Sequence, residues 1–358
     1  MKIQLRKHLQ EMKRLRVGAY RDINSGFFLD RNERIVPYSN DILSALNTEF
    51  LKLNISLYPD VSPFYDKLAG WLKVDPQEIY ITEGVSGAIK SLIETLAFSG
   101  DNIIFPSPTF AMYPVYSKMF NLEHRIVGYK NNYQMNIDQL INYIDNKTIF
   151  VFLPNPNVPI EGILNLDQIS EVAKYCLKKN CFLIIDEVYY PFGGPTALPL
   201  LSQFENLIIM RSFSKAFGLA GIRLGYIVGN KKYIEYISKM RTGYETNTLS
   251  MAVANFFINH ENIVYKYIQD IKNGFRYLKN ELDNLGIEYN GGKTSNFLYI
   301  NLKDKYINNM VVTRLKEQNI FVRGGWPEPF STGFAVTGAP KDILAKFLDA
   351  FINILNQE

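Results

Sequence analysis

The stretch Arg211 to Tyr226, RSFSKAFGLAGIRLGY, gathers an amine, two hydroxyls and a guanidinium in one short run. It follows an apolar strand, Leu207 to Met210. In an extended backbone alternate side chains share a face, so Ser212 and Ser214 point one way and Lys215 the other. Gly218 and Gly221 let the following loop turn tightly and return Arg223 to the serines. Two hydroxyls and a guanidinium form a clamp for a phosphate, and the amine beside them can bond covalently to an aldehyde. Lys215 alone would read as a surface lysine in a glycine-containing loop; its surroundings decide otherwise.

Those are the parts needed to hold pyridoxal 5'-phosphate. The pattern S-x-S-K-x-x-G-x-x-G-x-R-x-G resembles the cofactor-lysine motif of the fold-type-I (class I/II) aminotransferases, in particular the histidinol-phosphate aminotransferase group. Further matches run from about Tyr20 to Thr337, nearly the whole chain. The resemblance implies that Lys215 bonds the cofactor and that Ser212, Ser214 and Arg223 hold its phosphate. Tyr20 matches a substrate-side tyrosine, although an ordinary loop tyrosine fits as well. NISLYPDVSPF resembles the family's R-Y-P segment and puts Tyr58 at the position of a phenol that reaches across a homodimer interface to the neighbouring cofactor phosphate. By itself Tyr58 reads equally as a packing residue. Phe110, in PSPTFAMYPVY, aligns with the aromatic that stacks on the cofactor ring. In PNPNVPIEG the family's ring-oxygen asparagine is replaced by Val158, with Ile160 and Glu161 where Thr and Gly are usual, and Asn157 is the candidate substitute.

The elements that must position these groups are legible as alternating strands and helices from about residue 75 to 228, which predicts a mainly parallel sheet. IYITEGVSGAIKSLIETL is a strand, a turn at Gly84 and an amphipathic helix opened by Val85 and Ser86. The first N–H groups of such a helix are unpaired and favour an anion. TIFVFL (148–153) and CFLII (181–185) are continuous apolar strands of the kind buried on both faces. Asp186 ends the second of them, and ligands of doubly wound sheets gather at such carboxyl ends. A carboxylate against a pyridine nitrogen keeps that nitrogen protonated, because each charge favours the other's ionised form. Tyr189, three residues on, matches the phenol that bonds the ring oxygen.

The fold class expected is α/β, aspartate-aminotransferase-like. A large domain (35–245) carries the parallel sheet flanked by helices, and a smaller α+β domain is built from 1–34 and 246–358. The smaller domain is read as a long helical stretch (249–285), strands at 297–301, 320–322 and 334–336, and helices at 307–318 and 343–355. An N-terminal basic amphipathic helix is expected over the first sixteen residues, and 17–38 reads as irregular.

Composition fits an ordinary globular protein, with 47% hydrophobic and 21% charged residues in 358. A net charge of +4 is too small to mark a nucleic-acid binder. Cys176 and Cys181 sit in no metal-ligand pattern, and reduced buried thiols in a cytoplasmic protein are expected. The charged opening MKIQLRKHLQEMKRLR is no signal peptide, and no uncharged apolar run approaches membrane-spanning length.

One departure from the family bears on substrate. Arg323, in IFVRGG, matches one of two family arginines near the C-terminus and is assigned to substrate. The other, which clamps the substrate α-carboxylate, is replaced by Ala335 in FAVT. Either the main substrate lacks an α-carboxylate or another residue holds it. Arg31, where the family's L-D-x-N-E segment usually carries a small residue, is a candidate and reads equally as a solvated arginine. Trp326 lies between Arg323 and Ala335 and reads either as a pocket wall or as a structural aromatic. The expected reaction is transfer of an amino group between a small-molecule donor, such as glutamate, and a small phosphorylated ketone or aldehyde. Decarboxylation of a phosphoserine- or phosphothreonine-type amino acid is the alternative, and a non-catalytic regulatory module a third reading. Retention of Lys215, Asp186 and Tyr189 argues against the last.

Overall fold

The computed structural model describes residues 6–12, 26–130 and 133–357. Its strands are β1 (Phe27–Leu29), β2 (Ile79–Thr82), β3 (Asn102–Pro106), β4 (Glu123–Val127), β5 (Thr148–Pro154), β6 (Phe182–Asp186), β7 (Leu207–Ser212) and β8 (Gly225–Gly229). Beyond these come β9 (Glu288–Gly291), β10 (Phe297–Asn301), β11 (Ile320–Val322) and β12 (Gly333–Thr337).

Seven strands form the main sheet in the order β2-β8-β7-β6-β5-β3-β4, and β8 alone runs against the rest. β6 and β8 are buried at every residue because helices cover both faces, which explains their apolar, branched composition. The helix Gly84–Leu96 turns Val85, Ala88, Ile89, Leu92 and Ile93 inward, spaced at three and four along one stripe. They join Phe105, Phe150, Phe152, Ile184 and Ile208 on one side of the sheet. The helix Leu166–Lys178 covers the other side, with Ile169, Val172 and Ala173 against Val151, Leu183 and Ile185.

A second group comprises the antiparallel sheet β12-β10-β9 and the parallel pair β1-β11. The helices Glu261–Asn284, Lys305–Glu317 and Lys341–Leu355 accompany these strands. The helical stretch expected over 249–285 is two helices, Thr248–Asn259 and Glu261–Asn284, broken at His260. β1 corrects the reading of 17–38 as irregular: Phe27–Leu29 pairs in register with Ile320–Val322. Of the expected N-terminal helix, residues 6–12 fall within the described residues, and of these only Lys7–Gln10 is helical. None of the helices described is long and apolar enough to cross a membrane.

Candidate active site

Parallel strands that share a direction bring their carboxyl ends to one edge, and here β5, β6 and β7 end side by side at Pro154, Asp186 and Ser212. Above that edge lies a cleft of about 530 Å³, closed on its far side by the segment 30–33 after β1 and by Arg323, Trp326 and Ala335. Asp186, Tyr189, Ser212, Ser214, Lys215, Arg223, Val85, Ser86, Phe110 and Arg323 all line it.

The two serines share a face as their spacing requires, with Ser212 Oγ 2.8 Å from Ser214 Oγ. Arg223 adopts a left-handed backbone (φ 54°) and donates to Ala220 O and to Glu83 O at 3.2 and 3.3 Å. That second bond ties the guanidinium to the start of the helix Gly84–Leu96. Gly84 itself has φ 65°, and a Cβ there would lie 3.2 Å from Arg223 Nη2. Only a residue without a side chain leaves room for an oxyanion between the arginine and the helix's unpaired N–H groups. Two hydroxyls, one guanidinium and a helix N-terminus converging on one hollow suit a phosphate monoester dianion.

Lys215 Nζ donates to Arg31 O at 2.7 Å. Burial lowers its amine to about 8, with Arg223 pushing the same way and the Glu33 and Asp186 carboxylates opposing. A lysine so placed supplies far more neutral amine near pH 7 than a solvated one, as an amine that attacks a carbonyl must.

Asp186 is buried at the floor of the cleft, and burial raises its carboxyl to about 6. Its oxygens accept from Tyr113 Oη at 2.7 Å and from Val188 N at 3.1 Å. These two donors oppose the effect of burial and fix the carboxylate's orientation. Tyr189 Oη accepts from Asn32 Nδ2 at 2.7 Å, which leaves the phenol proton to be given toward the cleft. Phe110 is partly exposed at the mouth, edge-on to Tyr113.

Two expected site residues do not line the cleft of this chain, and a third lies outside the described residues. Asn157 is fully buried and bonded to Thr109 and Pro108, and it is not among the residues lining the cleft. Val158 lines the cleft in its stead. Tyr58 is 78% exposed and stacked on Tyr244, away from the cleft of its own chain. Tyr20 lies outside the described residues.

Sequence reasoning missed Tyr113 and Asn32. Tyr113 follows Phe110 by three residues in one turn of chain, a spacing that puts both aromatics on the same side. Asn32 is the asparagine of the L-D-x-N-E segment, but that match gave it no role, because its partners Tyr189 and Thr337 are distant in sequence.

A carboxylate below, a phosphate cup to one side, an aromatic at the mouth and a neutral-leaning amine between them fit pyridoxal phosphate. The model of the aminotransferase class I and II family matches residues 23–335. Similar proteins include histidinol-phosphate aminotransferases of Caldanaerobacter subterraneus subsp. tengcongensis and Thermoanaerobacter pseudethanolicus. These are 28% and 29% identical over 88% of this chain and 88% of each relative. The crystal structure of histidinol-phosphate aminotransferase from Sinorhizobium meliloti in complex with pyridoxal-5'-phosphate superposes with a TM-score of 0.87 at 20% identity, over 98% of each chain. The Clostridium acetobutylicum histidinol-phosphate aminotransferase gives 0.82 at 21% identity, over 93% of this chain and 100% of that one. Because the family match runs from ahead of β1 into β12, and so takes in the strands on both sides of the cleft, the chain belongs to the class I and II aminotransferases and is a pyridoxal-phosphate-dependent enzyme.

Proposed function

We propose that this enzyme passes an amino group between an amino-acid donor, such as glutamate, and a small phosphorylated ketone or aldehyde, working as a homodimer in the cytoplasm. The observation that carries this reading is the placement of Lys215 and Asp186 with Arg31 and Arg323 in one cleft. Two guanidiniums beyond the phosphate cup give the cleft capacity for anions carried by the substrate itself. The relatives' name, histidinol-phosphate aminotransferase, supports a phosphorylated substrate.

In this reading Ser212, Ser214, Arg223 and the N–H groups of Val85 and Ser86 hold the cofactor phosphate. Asp186 would pair with the ring nitrogen, Tyr189 would donate to the ring oxygen and Phe110 would cover one face. When bound, the cofactor supplies a protonated ring that accepts electrons from the substrate carbon. Lys215 holds the cofactor at rest. With a substrate amine bound in its place, the Lys215 Nζ would be the base that takes the proton from the substrate carbon and the acid that gives it back. Arg323, stacked over Trp326 at 5.6 Å on the far wall of the cleft, would pair there with a substrate phosphate.

Borohydride reduction of the yellow holoprotein followed by peptide mass spectrometry is expected to fix the cofactor on Lys215, and Lys215→Ala to abolish both label and turnover. Label on another lysine would overturn the assignment. A panel of donors and phosphorylated carbonyl acceptors then defines the reaction. Release of CO₂ without a keto acid would point instead to decarboxylation, the chemistry that a lost clamp at Ala335 would favour.

A further inference from the structure

The cleft contains one more cation than a cofactor and a substrate phosphate require. Arg223 is tied to the phosphate cup through Ala220 and Glu83, and Arg323 stacks on Trp326 at the far wall. Arg31 is the third. We propose that Arg31 is the specificity-determining residue that pairs with the substrate's α-carboxylate, so that this group is held from the segment after β1 and not from β12. The proposal rests on the reading that Lys215 is exchanged for a substrate amine.

Three observations carry it. First, position 335 faces the cleft but offers only a methyl group, and its backbone is fixed by a two-bond bridge to Arg323. Nothing on β12 at that point can pair with a carboxylate. Second, Arg31 O is 2.7 Å from Lys215 Nζ, so the backbone of Arg31 adjoins the reacting amine. An arginine side chain spans about 6 Å from Cα to guanidinium, enough to reach the α-carboxylate of a substrate whose amine has replaced Nζ at this point. Third, the Arg31 side chain is 43% exposed, and its one ion pair among the described residues, to Asp30, is long at 3.7 Å. It keeps the capacity for a fork of two hydrogen bonds to a planar carboxylate. Asp30 and Glu33, the other charged residues of this segment at the cleft, are acidic and repel such a group.

The test, with CO₂ release monitored alongside, uses holoprotein and two amines that lack an α-hydrogen and so cannot be transaminated by proton removal. These are 2-aminoisobutyrate and tert-butylamine, which differ by a carboxylate in place of a methyl. Their dissociation constants are read from the absorbance of the bound cofactor in the wild type, Arg31→Ala, Arg31→Met and Arg31→Lys. Loss of a charged hydrogen-bonding partner predicts that the preference for the carboxylate-bearing amine falls roughly 10- to 150-fold in the alanine and methionine variants. Lysine, which keeps the charge without the fork, should restore part of it. A preference that stays within about two-fold of wild type in those variants, or a wild type without preference, overturns the proposal. Failure of borohydride to label wild-type Lys215 would sink the proposed function instead, and that experiment is scored separately.

Discussion

At the residue scale the site depends on how burial resets two ionisable groups in opposite senses. Burial disfavours charge, so it moves the Lys215 amine down and the Asp186 carboxyl up. Attack on the cofactor aldehyde needs the neutral amine. The rate at which apoprotein captures pyridoxal phosphate covalently should therefore climb about ten-fold per pH unit below pH 8 and level off above it. Stopped-flow absorbance checks this, and a rate still rising at pH 10 would show that the amine is an ordinary one. For Asp186 the decisive neighbour is Tyr113. Tyr113→Phe deletes the phenol donor that holds the carboxyl down, so the carboxyl rises further and less of it is ionised as pH falls. Cofactor affinity should weaken about ten-fold, as expected for a bond to a charged group, with the greater loss at pH 6 than at pH 8. Equal affinity of variant and wild type at both values would remove Tyr113 from the site. Lys215, the serines and Arg223 could be read from sequence because one short loop carries them all. Asn157 could not be placed, since a gap-free reading of PNPNVPIEG says nothing about which residues the loop turns inward.

At the scale of elements, the legible strands were those whose burial on both faces writes an unbroken apolar run, as in TIFVFL and CFLII. β4 reads EHRIV and β9 reads EYNG, with Glu123 and Glu288 exposed and polar residues half-buried after them, and neither gives a pattern that stands out from loop. β1 is three residues long and exists because β11 accepts it as a partner. The loop after β5 shows what a departure from family pattern can accomplish. Glu161, where glycine is usual, is buried with its carboxylate receiving Lys293 N, Thr294 N, Thr294 Oγ1 and Ser295 Oγ at 2.6–3.1 Å. It thereby clamps the loop that closes one side of the cleft to the approach of β10. Glu161→Ala would strand those donors in a dry site, and we expect a loss of about 2–4 kcal/mol in denaturant unfolding, with glutamine recovering part of it. A change below about 0.5 kcal/mol would mean that water replaces the carboxylate and that the clamp adds no stability.

For the whole molecule, the surface around Tyr58 decides whether one chain suffices. Leu51, Ile55, Leu57 and Tyr58 are 66–80% exposed, and the segment 55–59 faces Gly243–Leu249 across a shallow apolar groove. Scattered apolar residues are ordinary on a surface, but a contiguous set of this kind marks a face that another protein covers. A second copy is the occupant expected, because Tyr58 matches a phenol that acts on a neighbouring cofactor and lies away from the cleft of its own chain. The protein should sediment as a dimer at assay concentration, with a large apolar interface. Two substitutions separate assembly from chemistry. Ile55→Asp would bury an unpaired charge in that interface and should yield monomers that bind cofactor weakly. Tyr58→Phe keeps the packing against Tyr244 and should leave the dimer intact, yet loosen the cofactor about ten-fold through the loss of one hydrogen bond to its phosphate. Cofactor release on dilution, followed by absorbance and compared between the two variants, reads both effects. A wild-type monomer with full turnover would end the shared-site reading. A Tyr58→Phe dimer that holds cofactor as tightly as wild type would reduce Tyr58 to a packing residue.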